Sequence, residues 1–323
     1  MKDFIAIGDT VVDAFIRLKE AVVGPDEKSI TLSFGDKIPY ESVDEIPAVG
    51  NSANAAVAAS RLGLASALYT VLGSDENGRK CLDQLRSEGI STEFVSVAEG
   101  KKTNYHYVLW YGKDRTILIK HEEYLYKLPE FKQPRWLYLS SLGESAENIH
   151  DEVTDYVKKN PSVNLAFQPG TFQIKLGAER LSEVYQRSKI FFCNVEEAGR
   201  ILGLDTLGIR ELLRRMKALG PEMVVITDGP RGAYAYDGTE FIFQPPYPDQ
   251  KPAFERTGAG DAFASTTVSA LALGKDLKTA LKWASVNSMS VVQQIGAQRG
   301  LLSQVEIEKY ISQAPTDFDS KSL

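Results

Sequence analysis

Strand-length apolar runs recur along the chain: FIAIGD (4–9), SALYTVLG (66–73), WLYLSS (136–141), VNLAFQ (163–168), KIFFCN (189–194) and EMVVITDG (222–229). Each is followed, after some interval, by helix-like sequence. Several are apolar on both parities, as strands covered on two faces must be, and crossovers between parallel strands need helices. The pattern predicts an α/β fold with a doubly wound, mostly parallel sheet flanked by helices. Predicted helices over 52–62, 76–88 and 211–219 each stop at a glycine, Gly63, Gly89 and Gly220, where a left-handed residue ends a helix.

Two stretches depart from this rhythm. Residues 17–47 hold strand-like pieces (SITLSF, KIPYE) with Gly and Pro and no convincing helix, and residues 102–120 read as a β-hairpin, NYHYVLWY and TILIK around the turn GKDR. Together they predict a small β-sheet lid over the carboxyl ends of the main strands, where open α/β sheets bind ligands. A hairpin on the flank is the alternative. The whole chain, 1–323, reads as a single domain with this lid, and the last residues, ISQAPTDFDSKSL, as a frayed tail.

Of the 323 residues, 43% are hydrophobic and 25% charged, the range of folded globular proteins. A net charge of −6 argues against a general nucleic-acid binder. Cys81 and Cys193 stand far apart in apolar surroundings and read as buried free thiols in a reducing compartment, with the cytoplasm as the expected location. The opening MKDFIAIGDT lacks the layout of a signal peptide, and Asn54 and Arg61 interrupt the longest small and apolar stretch, so no membrane association is expected.

Phosphate-loop, dinucleotide, hydrolase-elbow and CxxC motifs are missing, and His106, His121 and His150 do not have metal-ligand spacing. The strongest chemical signal is Thr257-Gly258-Ala259-Gly260-Asp261-Ala262-Phe263, followed at once by a small and apolar run of helical length. Glycines opening a helix let a phosphate approach the free N–H groups and the positive end of the dipole. A carboxylate on that first turn, Asp261, sits where it can take a proton from an attacking hydroxyl. A helix-capping Asp in a tight glycine turn is the competing reading.

Together with Gly50-Asn51-Ser52-Ala53-Asn54, Asn194-Val195-Glu196-Glu197 and Thr227-Asp228-Gly229-Pro230-Arg231-Gly232, this segment resembles the two ordered signatures of the ribokinase-like (PfkB) carbohydrate kinases. The resemblance runs from Gly8 to about Leu302. It implies an ATP-dependent, Mg²⁺-requiring phosphotransferase acting on a hydroxyl of a sugar or sugar-like small molecule. Asp261 matches the family's base, and Gly258, Ala259 and Gly260 its anion hole. Asn194 and Glu197 match the pair that orders Mg²⁺, mainly through water, although taken alone they are better explained as a strand end and a helix cap, with Asn194 as the cap. Thr227, Gly229 and Gly232 match a segment beside the nucleotide phosphates, and as a bare pattern make a strand-to-strand turn.

On the acceptor side the resemblance points to Asp13, Gly50, Asn51 and Asn54, with Asp9 competing for the role of Asp13. Asn287, on the apolar helix WASVNSMSVVQQIG, is a candidate adenine contact. A nucleoside kinase of the same fold is the first alternative, its base stacked by Tyr105, Tyr107, Trp110 or Tyr111. A non-catalytic sensor on the same scaffold is the second. Asn51 stands where the family commonly has a second glycine, which leaves sugar identity open. Glu255 stands where potassium-activated relatives carry Asp, which leaves monovalent-cation dependence open. A homodimer through the lid is expected by analogy.

Overall fold

The computed structural model describes residues 2–25, 29–112, 114–204 and 207–323. All six apolar runs form strands. Val95–Ala98, Ser66–Gly73, Phe4–Ile7, Trp136–Leu139, Asn164–Phe167, Ser188–Asn194 and Met223–Thr227 lie parallel in that order. Antiparallel Ala233–Tyr236, Phe241–Gln244 and Lys321–Ser322 extend the far edge to give a ten-stranded sheet among the described residues.

Burial on both parities has the expected cause. Phe4 and Ala6 face one core, with Leu68 and Tyr138, and Ile5 and Ile7 face the other, with Tyr69 and Phe167. On the first face, the helix Asn51–Arg61 packs on the helix Ala259–Ala272. Both are built largely from Ala, Ser and Thr, so their axes approach closely and short side chains reach across. The predicted helices appear as Asn51–Arg61, Glu76–Ser87 and Ile209–Ala218.

From the central strand Phe4–Ile7 the chain winds first through Ser66–Gly73 and later returns to Trp136–Leu139 on the opposite side. The crevice at this reversal, beyond the carboxyl ends of the strands, is where an open α/β sheet takes a ligand. Asp9 lies at its mouth and its N–H donates to the Ser141 carbonyl at 2.8 Å.

The accessory sheet is present, with different boundaries. Its four strands are Tyr40–Val49, Val11–Leu18, Asn104–Tyr111 and Asp114–Leu118, in that order, with Val11–Leu18 and Asn104–Tyr111 parallel. The lid therefore starts at Val11 rather than at residue 17. VVDAFIRL lacks clean alternation because both of its faces are largely covered. SITLSF contributes only Ile30–Thr31, paired with Val22–Val23. Residue 113, in the turn GKDR, and residues 26–28 lie outside the described residues.

The tail is not frayed. Phe318 is buried with Tyr247 in a cluster beneath the helix Gln304–Ser312, the Ser320 hydroxyl donates to Gln244 Oε1 at 2.6 Å, and Lys321–Ser322 closes the sheet edge. One large aromatic anchor and an open strand edge outweigh the polar composition that suggested disorder. Both cysteines are buried and unpaired. No helix among the described residues is long and apolar enough to cross a membrane.

Arg61 ends the first helix with a forked bond to Glu88, at 2.9 and 2.7 Å, and its third nitrogen donates to the carbonyls of Gln298 and Leu301 at 2.7 and 2.8 Å. Arg61→Met leaves a part-buried carboxylate and two carbonyls without their donor. It should destabilise the protein by about 2–3 kcal/mol, read as a lower urea midpoint at unchanged m.

Candidate active site

The helix Ala259–Ala272 opens at Gly258, whose φ of +80° is the left-handed conformation and which gives no side-chain cap. A Cβ there would also lie 2.3 Å from Ala297 Cβ, so glycine is required twice over. Gly260 has no left-handed requirement. A Cβ on it would meet no atom within 4 Å and would project into open space at the helix start. The glycine demanded by backbone conformation is the first of the pair, and the second keeps the approach clear.

Asp261, on the first helical turn, does not cap the helix with its side chain. Asn54 Nδ2 donates to its Oδ2 at 2.8 Å and Gln168 Nε2 to its Oδ1 at 3.0 Å. Each amide is fixed in turn. Gln298 donates to Asn54 Oδ1 at 2.9 Å, and the Tyr138 hydroxyl donates to Gln168 Oε1. Burial raises the Asp261 pKa above the usual carboxylate range. The two amide bonds oppose that shift, and the nearby Asp13 charge adds to it.

Around this carboxylate lies a cavity of about 180 Å³, lined among others by Asn51, Asn194, Glu197, Thr227, Gly258 and Gly260. Asn194 and Thr227 meet there because their strands are neighbours in register. Asn194 and Glu197 form a reciprocal capping box on the helix Val195–Leu202, with both bonds at 2.8 Å, so the structural alternative holds for this pair, which also faces the cavity. Burial raises the Glu197 pKa. Gly229 and Gly232 bracket the turn after Thr227 and do not line the cavity.

Among the described residues no group of three His, Cys, Asp or Glu side chains is placed to cage a metal. A Mg²⁺ that keeps several waters and shares phosphate oxygens needs only one or two protein carboxylates. Glu197 beside Asn194 fits that requirement.

At the acceptor end the two candidate aspartates differ. Asp9 is spoken for: its carboxylate accepts from the Tyr126 hydroxyl and from Gly143 N–H at 2.7 Å, and lies 3.0 Å from His121 Nδ1. Asp13 Oδ1 is buried without a hydrogen-bond partner, 3.4 Å from His106 Nδ1, and His106 Nε2 is likewise unpartnered. Gly50, with φ +111°, caps the first helix and brings its backbone against the Asp9 carbonyl.

Three expectations need correction. Asn54 spends its amide on Asp261 and Gln298, where direct acceptor contact was expected. Asn287 lies fully buried outside the cavity. Its amide donates to Thr266 Oγ1 at 2.7 Å and accepts from Leu302 N–H at 2.9 Å, so it ties helices together where an adenine contact was expected. Strand alternation turns Tyr105, Tyr107 and Tyr111 away from Asp13, and Trp110 packs edge-on against Phe254.

Gln168, Arg115 and Arg256 line the cavity and were not singled out from sequence. A polar residue directly after an apolar parallel strand was the available signal for Gln168.

A carboxylate fixed by two amides stands at a glycine-opened helix N-terminus beside a cavity, and residues 7–304 match the pfkB family carbohydrate kinases. The chain belongs to that family. It is 27% identical over 284 residues to the ribokinase of Bacillus subtilis, covering 86% of this chain and 92% of that protein. It is 26% identical over 316 residues to a nucleoside kinase of Methanothermobacter thermautotrophicus, covering 93% and 92%. The fold superposes on Arabidopsis thaliana ribokinase complexed with ribose and ATP with a TM-score of 0.80 at 19% identity, over 96% of this chain and 98% of that one.

The contrast between the aspartates sets an expected outcome for stability. Asp9→Ala strips a buried hydroxyl, a backbone N–H and an imidazole of their acceptor and should cost about 2–4 kcal/mol. Asp13→Ala removes a carboxylate with an unused oxygen and should leave the urea midpoint nearly unchanged.

Proposed function

We propose that this protein transfers the γ-phosphoryl group of ATP to a hydroxyl of a small sugar or sugar-like polyol, with Asp261 as general base. The observation that carries the reading is the half-buried Asp261 carboxylate, oriented by two fixed amides at the mouth of a helix dipole, with Asp13 near enough to act on its ionisation. In this reading Asp13 and His106 offer their unpartnered atoms to acceptor hydroxyls. Asn51 lies at the floor between acceptor and phosphate.

Asp261 removes the hydroxyl proton as the acceptor oxygen bonds to phosphorus. The bridging oxygen leaves with ADP. A raised pKa makes this carboxylate a stronger base toward the acceptor hydroxyl. Gly258, Ala259 and Gly260 present the helix start to the developing charge. Thr227, with the Gly229 to Gly232 turn behind it, borders the nucleotide phosphates. Bound Mg²⁺, held near Asn194 and Glu197 largely through water, would neutralise phosphate charge.

Two observations support a polyol over a nucleoside. The lid aromatics that would stack a base face away from Asp13 or are already packed, and the acceptor end is lined by hydroxyl-binding carboxylate and imidazole groups. Relatives of both kinds, ribokinase and nucleoside kinase, match this chain, so the choice rests on the geometry. The expected homodimer would cover the lid's outer face, where Tyr40, Val43, Tyr107 and Leu118 are exposed.

Asp261→Asn keeps the shape and removes the base. In an ADP-release assay over neutral sugars, sugar phosphates and nucleosides, it should lower turnover of the best acceptor about 10²- to 10⁴-fold, with ADP affinity little changed. Near-normal turnover would remove Asp261 from the role.

The same variant reports on stability. The raised pKa means that the folded state holds the Asp261 proton to higher pH than the unfolded chain. The stability of the neutral form is therefore present at low pH and lost as pH rises from the ordinary carboxylate pKa through the raised one. Across that window, the difference in Tm should move in favour of Asp261→Asn as pH rises.

A further inference from the structure

We propose that Cys81 is a positioning residue for the transfer reaction, its sulfur holding a backbone bulge that sets Asp13 and the Asn54 amide relative to each other. The inference rests on the phosphoryl-transfer reading above. It adds a residue that lies in none of the motifs and is not among those lining the cavity.

The bulge lies in the lid strand Tyr40–Val49. Val49 pairs with Val11 and Ile46 with Asp13, so Pro47 and Ala48 together stand opposite Val12 alone. Ala48 absorbs the extra length. Its φ of +59° makes it the only non-glycine residue in the left-handed region among the described residues, a conformation in which Cβ crowds the backbone. Functional groups flank the bulge on both sides. Ile46 faces Asp13 across the ladder, and two residues after Ala48 the helix bearing Asn51 and Asn54 begins at its cap, Gly50.

An alanine keeps such a conformation only where its surroundings over-determine it. Both backbone polar groups of Ala48 are held by side chains from distant parts of the chain. Its N–H donates to Cys81 Sγ at 3.2 Å, and its carbonyl accepts from Gln298 Nε2 at 2.7 Å. Cys81 belongs to the helix Glu76–Ser87 and is fully buried. Burial pushes its thiol pKa up to about 12, so the sulfur offers an acceptor without a charge. The same Gln298 nitrogen also donates to Asn54 Oδ1 at 2.9 Å, and Asn54 donates to Asp261. A continuous chain of hydrogen bonds thus runs from the sulfur to the base.

Without the sulfur, the Ala48 N–H is buried with no acceptor, and the residue relaxes toward the ordinary region of negative φ. The ladder around Val12 then rearranges and shifts Asp13. The Ala48 carbonyl leaves Gln298, which loosens the Asn54 amide. Thr227 and the turn behind it stand on other strands of the main sheet.

The test compares wild type, Cys81→Ser, Cys81→Ala and the double variant Cys81→Ala/Ala48→Gly. It reads kcat and KM for the best acceptor in the ADP-release assay, ADP affinity and the urea midpoint. Cys81→Ala should lose about 10- to 10²-fold in kcat/KM through both a higher acceptor KM and a lower kcat, with ADP affinity little changed. Cys81→Ser keeps an acceptor and should keep most of the turnover. Adding Ala48→Gly to Cys81→Ala should restore most of what was lost, because glycine holds the left-handed conformation without help. The urea midpoint should not recover with it, since glycine refills no space.

Wild-type kcat and KM in Cys81→Ala, with only the urea midpoint lowered, would make Cys81 a packing residue and overturn the proposal. A double variant no more active than Cys81→Ala would do the same. If Cys81→Ala does not fold, Cys81→Val, which fills the space without accepting a hydrogen bond, takes its place in both comparisons. Wild type that transfers phosphate to no acceptor would defeat the kinase reading itself, and this proposal with it. With an active wild type, failure of the variants to behave in this way leaves that reading standing.

Discussion

A half-buried carboxylate at the edge of a cavity sets the terms for the rest of this structure. Moving an ionised Asp261 out of water is costly unless hydrogen bonds replace the water. The replacements are the Asn54 and Gln168 amides, and an amide is useful only if it cannot flip. Gln298 and Tyr138 prevent that from behind, and the carbonyl of Gln298 is in turn gripped by Arg61. Residues from the first helix, two central strands, the phosphate-facing helix and a late loop thus converge on two oxygen atoms. The Ala- and Ser-rich surfaces of the two packed helices are what allow Asn54 to reach.

The two ends of the site are organised on opposite principles. Asp9 anchors the crevice at the sheet's reversal, where its carboxylate, N–H and carbonyl all have partners within the protein. Four residues later Asp13, on the lid strand, keeps an oxygen in reserve. One carboxylate assembles the site and the other remains available to a ligand. The lid itself carries the unpartnered atoms of Asp13 and His106 and brings Arg115 to the cavity, so its strands are part of the candidate site as well as its cover.

Much of the architecture was legible in the order of residues. Parallel strands declare themselves by being apolar on both parities, because helices cover both faces, and glycine stops mark helix ends through their access to the left-handed region. Thr257 to Phe263 was legible because a glycine-opened helix bearing an early carboxylate has a mechanical meaning that survives without knowledge of its neighbours. The strand Val11–Leu18 was not, since its alternation is blurred where main sheet and lid both cover it. The tail misled because its composition is polar while its one large aromatic, Phe318, is buried and its last residues pair with an open strand edge.

Sequence alone determined the class of fold, the glycine-opened helix and the carboxylate on its first turn, because these depend on local pattern and spacing. Tertiary structure decided which of Asp9 and Asp13 keeps a free oxygen, that Asn54 serves the carboxylate, that Asn287 is a helix tie, and that Gln168 and Arg115 reach the cavity. Each of those outcomes depends on partners from 15 to 244 positions away. A polar side chain's role is set by which of its atoms remain unsatisfied after folding, and that is a property of the packed molecule rather than of the chain.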